Sequence, residues 1–341
     1  MAYPVFKSKR RDVALETIII DCDPGIDDAT AILLALKSGE CRLEAVTTVA
    51  GNVTSDVATR NVVKLFHLLD INWMRDRIPL LAKGSSKPLS REIDFENGRS
   101  VHGQDGLGST EDLFESFRIP KIITTKNNAI HLLTSSIVSS TEPVTLVAVG
   151  PLTNIAKSIN RTPSIKEKLK KVIIMGGAIE VPGNVSPTAE FNIYTDPEAA
   201  KIVFQSDLPI LLVPLDVTQS YEFTKDEILE FGEGESLLTK FVYRALTYYM
   251  KVTRIREGLN KDSCYLHDAL AMGIAINEKL MKTTKRKEFF VDVETKGEIA
   301  LGQTIADRRP IPEPTDYGPI EVCLEIDFQE FIKFFNRTIL K

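Results

Sequence analysis

The sequence predicts an α/β protein with a mostly parallel, open sheet (a Rossmann-like core) flanked by helices, with helical additions towards the C-terminus. Two observations support this prediction: short aliphatic segments alternate with helical ones, and those segments are continuously apolar, as in Ile18–Ile20 and Leu208–Val213. Continuous apolar strands are typical of parallel sheets covered on both faces. A third observation is that acidic, amide or glycine residues follow several of these strands directly. Ligands bind beyond the carboxyl ends of such strands, so a binding site is predicted there.

The predicted elements alternate along the chain. Strands are predicted at 16–20, 43–49, 144–149, 171–175, 208–213, 289–294 and 321–324. Helices are predicted at 27–37, 55–69 and 128–139, from 152, 197 and 327 onwards, and through most of 224–280. Gly39 marks a helix end, and Asp196-Pro197 combines an N-cap carboxylate with proline at the first helical position. The Gly/Ser-rich segment 83–110 separates two of these helices, and 101–108 within it is predicted to be a mobile or ligand-covering loop.

Composition and charge limit the class of protein. Of 341 residues, 43% are hydrophobic and 26% charged, as in ordinary soluble enzymes. The net charge of −5 argues against nucleic acid or an anionic membrane as the main partner. Four scattered cysteines and the lack of a secretory h-region or membrane span favour a cytoplasmic location. One domain over 1–341 is expected, with 1–15 as a poorly ordered extension.

The most informative feature is an acidic cluster, Asp21, Asp23, Asp27 and Asp28, directly after the first strand. Like charges at this density repel one another, so at least one must stay protonated unless a cation gathers them. Ca²⁺ or Mg²⁺ is the natural occupant of an oxygen-rich site. The alternative is a solvated acidic loop that caps the next helix.

Two further segments carry candidate binding residues. Asn184, Glu190 and Asn192 lie close together before a helix, and this density of amide and carboxyl groups suits a ligand with many hydroxyls. The alternative is a turn whose polar groups satisfy their own backbone. His267 and Asp268 open another helix, where the carboxylate is either a cap or an extra metal ligand and the imidazole is a candidate proton donor.

Six motifs together resemble the inosine–uridine-preferring nucleoside hydrolases, in family order. They are Asp21–Asp28, Thr47–Asn52, Gly150–Asn154, Met175–Gly177, Ala189–Asn192 with Asp196–Ala199, and Leu266–Asp268. The resemblance implies the nucleoside hydrolase fold and calcium-dependent hydrolysis of ribonucleosides to free base and ribose, in purine or pyrimidine salvage. It also implies a homodimer or homotetramer.

The resemblance assigns a role to each matching position. Asp23 matches the aspartate that contacts calcium and deprotonates the attacking water, Asp28 the main calcium ligand, and Asp268 a ligand that also touches the ribose. Further substrate-binding positions, mostly around the ribose, are Asp27, Asn52, Asn184, Glu190 and Asn192. His267 matches the proton donor to the leaving base, and His102 lies near the base pocket. Asp21 is expected to support the other aspartates.

Two departures from the family pattern concern the metal and the base. Val149 replaces the usual threonine whose backbone carbonyl binds calcium, and a carbonyl ligand survives that change. The tyrosines that close the base pocket in the family have no clear match before His267, so uridine, inosine and guanosine all remain open as substrates. Two alternative functions also remain: a haloacid-dehalogenase-type Mg²⁺ phosphohydrolase and a non-catalytic nucleoside- or calcium-binding paralogue.

Overall fold

A computed structural model describes residues 15–69, 78–115, 128–259, 261–313 and 315–341. The strands are β1 (Glu16–Cys22), β2 (Cys41–Thr48), β3 (Leu80–Lys83), β4 (Val144–Ala148), β5 (Leu169–Met175), β6 (Ile210–Val213), β7 (Phe223–Thr224), β8 (Ser263–Cys264), β9 (Lys285–Phe289), β10 (Val291–Val293), β11 (Thr304–Ala306) and β12 (Ile320–Glu325). Of the expected N-terminal extension, 1–14 lie outside the described residues and Leu15 is exposed.

Helices cover both faces of the sheet. They are α1 (Ile26–Ser38), α2 (Ser55–His67), α3 (Phe95–His102), α4 (Ala129–Ser139), α5 (Thr153–Arg161), α6 (Phe191–Thr195), α7 (Pro197–Phe204), α8 (Leu215–Thr218), α9 (Leu229–Gly232), α10 (Leu237–Glu257), α11 (His267–Ile276), α12 (Glu278–Thr283) and α13 (Phe328–Leu340). None of the described helices is long and apolar enough to cross a bilayer.

The main sheet has eight strands in the order β3-β2-β1-β4-β5-β6-β12-β9, and all pairs are parallel except β12 with the edge strand β9. The predicted mostly parallel sheet is therefore confirmed. Its central strand shows why the aliphatic run is continuous. Ile18 and Ile20 pack into the core on one face and Ile19 into the core on the other.

Three local predictions were wrong or incomplete. His102 ends helix α3 instead of lying in a loop, and Asp94 caps the start of that helix. Only Gly98 and His102 are buried in α3, so it lacks the apolar periodicity that would predict it. The strand expected at 289–294 is two strands, because β9 pairs with β12 and β10 pairs with β11. No strand was predicted where β3 lies.

Candidate active site

The loop between β1 and α1 folds around the carboxylate of Asp28. Its two oxygens accept hydrogen bonds from the backbone N–H groups of Asp23 and Gly25, both at 3.0 Å. A carboxylate in the first turn of α1 is also favoured by the helix dipole. These bonds close the loop so that Asp23, Asp27 and Asp28 are all buried at the carboxyl end of β1.

Asp23 lies between two backbone segments that approach it closely. The Asn52 N–H donates to its Oδ2 at 2.6 Å. A Cβ at Gly51 would lie 2.0 Å from Oδ2, and one at Gly150 would lie 2.5 Å from Oδ1. Glycine is therefore required after β2 and after β4 for this carboxylate to occupy its position.

Asp21 holds neighbouring segments of the site together through hydrogen bonds. Its Oδ1 accepts hydrogen bonds from the Thr47 hydroxyl at 2.5 Å and the Asn154 amide at 2.9 Å. The same amide donates to the Thr48 carbonyl, and the Asn154 Oδ1 accepts from the Ser85 N–H. Burial raises the pKa of Asp21 to about 7, and these hydrogen bonds oppose the rise. Through Asn154 of α5, the network ties β1 to the end of β2 and to the segment after β3.

Distant parts of the chain complete the site. The Asp268 N–H, at the start of α11, donates to Asp27 Oδ2 at 3.1 Å across 241 positions. Glu190 is the N-cap of α6 and accepts from three backbone N–H groups. The Asn192 amide donates to the carbonyls of Val149 and Met175, and Asn184 Oδ1 accepts from the Phe191 N–H.

These residues line one cleft with about 640 Å³ of empty space, counted to its open mouth. The predicted residues along its wall are Asp27, Asn52, His102, Val149, Asn184, Glu190, Asn192, His267 and Asp268. Asp23 and Asp28 lie buried beneath that wall. The structure thus brings together all the residues that the sequence analysis selected for the site.

Four polar lining residues were not selected from the sequence: Asn97 on α3, and Tyr249, Arg256 and Glu257 on α10. Tyr249 and Arg256, seven positions apart, lie on the same face of α10, and Glu257 lies at the edge of that face. That spacing was visible in the sequence. What the sequence lacked was the information that this face borders the cleft.

The electrostatics of the carboxylates favour a cation. Burial and the charge of Asp28 raise the pKa of Asp23 well above its usual range, and burial raises that of Asp27 to about 8. Burial and the charges of Asp27, Asp28 and Asp23 raise the pKa of Asp268 well above its usual range. Asp23 Oδ1 and Asp27 Oδ1 are buried without a hydrogen-bond partner among the described residues. Unpaired buried carboxylate oxygens are costly, and a hard divalent cation would satisfy them.

The side-chain placement alone does not form a closed metal cage. Within the described ranges, no group of three or more His, Cys, Asp or Glu side chains stands ready to hold a metal ion. The fit to calcium rests instead on donor chemistry: buried oxygens of Asp23, Asp28 and Asp268, with the Val149 carbonyl on the cleft wall. Calcium accepts such mixed carboxylate and carbonyl ligands in flexible geometries.

The two histidines of the cleft are held neutral. The Ile26 N–H donates to His102 Nδ1 at 3.1 Å, which places the ring proton of the neutral form on Nε2. Burial, then the charges of His267 and Arg256, lower the pKa of His102 to about 3. Burial lowers that of His267 to about 4, and its Nδ1 lies 2.6 Å from the Thr218 hydroxyl. His102 also stacks on Tyr249, with ring centroids 5.5 Å apart.

A cleft of buried carboxylates and amides at the carboxyl edge of a parallel sheet defines an enzyme of α/β type acting on a polar small molecule. Residues 18–333 match the model of the inosine-uridine preferring nucleoside hydrolase family, and the chain belongs to that family. It is therefore a nucleoside hydrolase. The family resemblance found in the sequence is confirmed, and the phosphohydrolase alternative is excluded.

Relatives and solved structures agree with this assignment. The chain is 38% identical over 290 residues to the pyrimidine-specific ribonucleoside hydrolase RihA of Salmonella arizonae, covering 85% of this chain and 88% of that protein. A plant nucleoside hydrolase, the PpNRh1 enzyme, superposes with a TM-score of 0.84 at 32% identity, covering 95% and 99% of the two chains. A purine-preferring ribonucleoside hydrolase from Gardnerella vaginalis gives 0.84 at 27% identity, covering 95% and 98%.

Proposed function

We propose that the protein is a calcium-dependent ribonucleoside hydrolase that releases free base and ribose, in nucleoside salvage. The observation that carries this proposal is the meeting of Asp27 and Asp268 at one cleft with Asn184 and Asn192, beside the buried carboxylate of Asp23. Carboxylates at the metal side and amides beside them match a sugar ring with several hydroxyls, each of which needs a donor and an acceptor.

Asp23, Asp28, Asp268 and the Val149 carbonyl would hold the calcium ion. When bound, calcium would supply a positive charge that makes a neighbouring water molecule more acidic. Asp23 Oδ1 is the atom proposed to take the proton from water, because Oδ2 already accepts from Asn52 and Oδ1 has no partner among the described residues.

The remaining residues bind and orient the ribose. In the proposed reaction a water oxygen bonds to the anomeric carbon, the bond from that carbon to the base nitrogen breaks, and its electron pair stays on the base. Positive charge develops on the ribose ring in this step. The carboxylates of Asp27 and Asp268 line the cleft and are proposed to stabilise that charge. Asn52, Asn184, Glu190 and Asn192 hold the hydroxyls, which supplies orientation.

His267 is proposed to assist departure of the base as a neutral ring. Its Nδ1 is engaged by Thr218, so Nε2 is the nitrogen left to face the cleft. Because its pKa is lowered to about 4, the ring carries no charge at neutral pH. In the neutral form with a proton on Nε2, it donates a hydrogen bond to the base that stabilises the electron pair arriving there, and the base takes up its proton from solvent water to replace the one that Asp23 removes from the attacking water.

Uridine is the proposed first substrate. The relative RihA is described as pyrimidine-specific, whereas the Gardnerella enzyme is described as purine-preferring. The sequence analysis left uridine, inosine and guanosine open. Uridine is the pyrimidine nucleoside among these three, and RihA, the more similar of the two relatives, is described as pyrimidine-specific. Inosine and guanosine are the alternatives to be measured beside it.

A panel of nucleosides assayed for free ribose tests the reaction. We expect release from uridine, a large loss on adding a calcium chelator and recovery on restoring calcium. Asp23→Asn should lower kcat by about a hundredfold or more, since a general base contributes about 10²–10⁴. Undiminished release by Asp23→Asn would contradict the assigned role, and release unaffected by the chelator would contradict the metal.

Three further expectations, on domain organisation, location and assembly, are part of the same proposal. The chain is proposed to form one domain, to act in the cytoplasm and to assemble as a homodimer or homotetramer. Sedimentation of the purified protein measures the last of these.

A further inference from the structure

Strands β10 and β11 form an antiparallel hairpin that takes no part in the proposed reaction. Among the described residues, those that line the cleft include none from either strand. The hairpin is linked to elements beside the site. Lys201 on α7 donates to both oxygens of Asp292 on β10, at 2.7 and 2.9 Å. Arg91, in the segment after β3, donates to the Thr295 carbonyl at 2.7 Å. The hairpin is therefore held in a defined position against the sheet.

Thr304, the first residue of β11, packs its side chain on the backbone of Gly177. It is only 2% exposed. A Cβ at Gly177 would lie 2.9 Å from Oγ1 of Thr304 and 3.3 Å from its Cγ2. Gly177 also has a φ of +82°, a left-handed conformation that favours glycine. The side chain of Thr304 thus fills the space beside the Gly177 Cα and limits where that peptide can move.

Gly177 in turn holds the carboxylate of Glu190, which lines the cleft. The Gly177 N–H donates to Oε2 at 3.0 Å. The other two N–H groups that this carboxylate accepts from belong to Asn192 and Ile193 of its own helix, α6. Among the hydrogen bonds of the described residues, the one from Gly177 is therefore the bond that ties the carboxylate to the segment after β5.

The same hairpin also contacts α6 directly. A Cβ at Gly302, whose φ is +75°, would lie 2.7 Å from the Cα of Tyr194 on that helix. The Gly302 N–H donates to the Glu294 carbonyl at 2.8 Å, and the Glu294 N–H donates to the Gln303 carbonyl at 3.0 Å, which closes the turn. The hairpin therefore contacts both the peptide that holds the Glu190 side chain and the helix that Glu190 begins.

We propose that the β10–β11 hairpin positions Glu190 for the ribose, with Thr304 as the positioning residue. The inference rests on the proposed function, which assigns Glu190 to the ribose hydroxyls. Thr304 acts through its shape, because its Oγ1 is buried without a hydrogen-bond partner among the described residues. A β-branched side chain at this position keeps the Gly177 N–H directed at Glu190 without itself lining the cleft.

Two substitutions at Thr304 separate its shape from its hydroxyl. Thr304→Ala removes Oγ1 and Cγ2, which both lie against Gly177, and leaves room for that peptide to move. We expect kcat/KM for the best nucleoside of the panel to fall about tenfold, because small displacements of binding groups are costly. Thr304→Val keeps the branched shape and loses only a hydroxyl without a partner, so its kcat/KM should stay within about twofold of wild type.

A double-mutant cycle with Glu190→Ala tests whether Thr304 acts through that carboxylate. In the Glu190→Ala background, Thr304→Ala should change kcat/KM by less than about twofold, because the group that it positions is absent. Coupled residues give non-additive effects, whereas independent sites add. A purely structural defect would instead lower kcat/KM by the same factor in both backgrounds. Melting temperatures give the same comparison without activity: the double variant should lose less than the sum of the two single shifts.

Thr338→Ala is the matched control. Thr338 lies on α13, is also 2% exposed and is not among the residues that line the cleft. The substitution removes the same atoms from a buried position elsewhere in the fold. Its kcat/KM should therefore stay within about twofold of wild type in both Glu190 backgrounds.

The outcomes separate the inference from the proposed function. An active wild type whose kcat/KM is unchanged by Thr304→Ala overturns the positioning role, and so does an equal loss in both Glu190 backgrounds. A Thr304→Val protein as impaired as Thr304→Ala overturns the assignment to shape. If the calcium-loaded wild type releases ribose from no nucleoside, the proposed function fails. The melting temperatures of the cycle then decide the inference, and additive shifts overturn it.

Discussion

At the scale of single residues, the four aspartates after β1 differ in their partners and therefore in their proposed roles. Asp21 accepts from Thr47 and Asn154 and supports the loops. Asp28 accepts from two backbone N–H groups, Asp27 accepts from the Asp268 N–H, and Asp23 accepts from the Asn52 N–H. Sequence alone shows four equivalent carboxylates, because their partners come from other strands and helices.

His102 should make folding stability depend on pH. Its folded-state pKa of about 3 lies below the ordinary value of 6.5, so the unfolded chain binds more protons between those values. The contribution of His102 to the stability of the fold is then complete above about pH 6.5 and is lost as the pH falls towards 3. At pH 5 the loss from His102 should be about 2 kcal/mol, at 1.36 kcal/mol per pKa unit. Urea unfolding of the wild type at pH 7 and pH 5 measures the net change in stability, to which buried carboxyls with a raised pKa, such as Asp21 and Asp27, contribute in the opposite direction.

His102→Asn isolates this contribution. An asparagine amide oxygen can accept the Ile26 N–H in place of Nδ1, and it does not titrate. The difference between wild type and variant should therefore shrink or reverse on acidification. An equal change in stability in both proteins between pH 7 and pH 5 would show that His102 is not held neutral.

At the scale of elements, the position of α3 decides which residues face the ligand. The helix approaches the segment after β2 so closely that a Cβ at Gly98 would lie 2.3 Å from the Asn52 carbonyl oxygen and 2.5 Å from its Cα. This contact places His102 and Asn97 at the cleft beside Asn52. Helix α10 faces α3 across the cleft mouth through the hydrogen bond from Arg256 to Ser100.

Gly98→Ala should lower kcat/KM without raising the melting temperature. Alanine favours a helix over glycine by about 1 kcal/mol, so an open helical site would gain stability. Here the added methyl meets backbone atoms that cannot rotate away, so α3 must move from Asn52. We expect kcat/KM for uridine to fall about tenfold, since small displacements of binding groups are costly. The assay is steady-state kinetics with a thermal melt.

The control for Gly98→Ala is Gly297→Ala. There the nearest atom to a new Cβ is Cγ of the Glu294 side chain, at 3.3 Å, and that side chain can adjust. This variant should keep wild-type kinetics. A Gly98→Ala protein with unchanged kcat/KM and a higher melting temperature would mean that the approach of α3 does not position the site.

At the scale of the whole molecule, the site joins segments that lie far apart in sequence. The loop after β1 provides Asp23, α1 provides Asp28, the segment after β4 provides Val149, and α11 provides Asp268. A cation bound by all four would link these distant parts of the chain in the folded state alone. Ligands that bind only the folded state raise its stability by mass action.

Calcium should therefore raise the melting temperature of the chelator-treated protein. The expected gain is about 2.7 kcal/mol when free calcium is about a hundred times its dissociation constant. Asp28→Asn removes a charged ligand and should abolish most of the shift, whereas Glu235→Gln, at an exposed position before the start of α10, should retain it. Differential scanning calorimetry with and without calcium measures the effect. An equal shift in Asp28→Asn and wild type would contradict the assigned ligand set.

The sequence by itself determined the parallel sheet, the strand tips that carry polar residues and the positions that form the site. Strand periodicity, helix caps and short motifs are local signals, and β1, α1 and α7 follow them closely. Tertiary structure alone decided where α3 lies, that β9 and β10 are separate strands, and which face of α10 borders the cleft. Those features depend on contacts between distant segments: Gly98 against Asn52, β9 against β12, and Tyr249 against His102. Local patterns determine how a segment folds, but the partners that it meets depend on the packing of the entire chain.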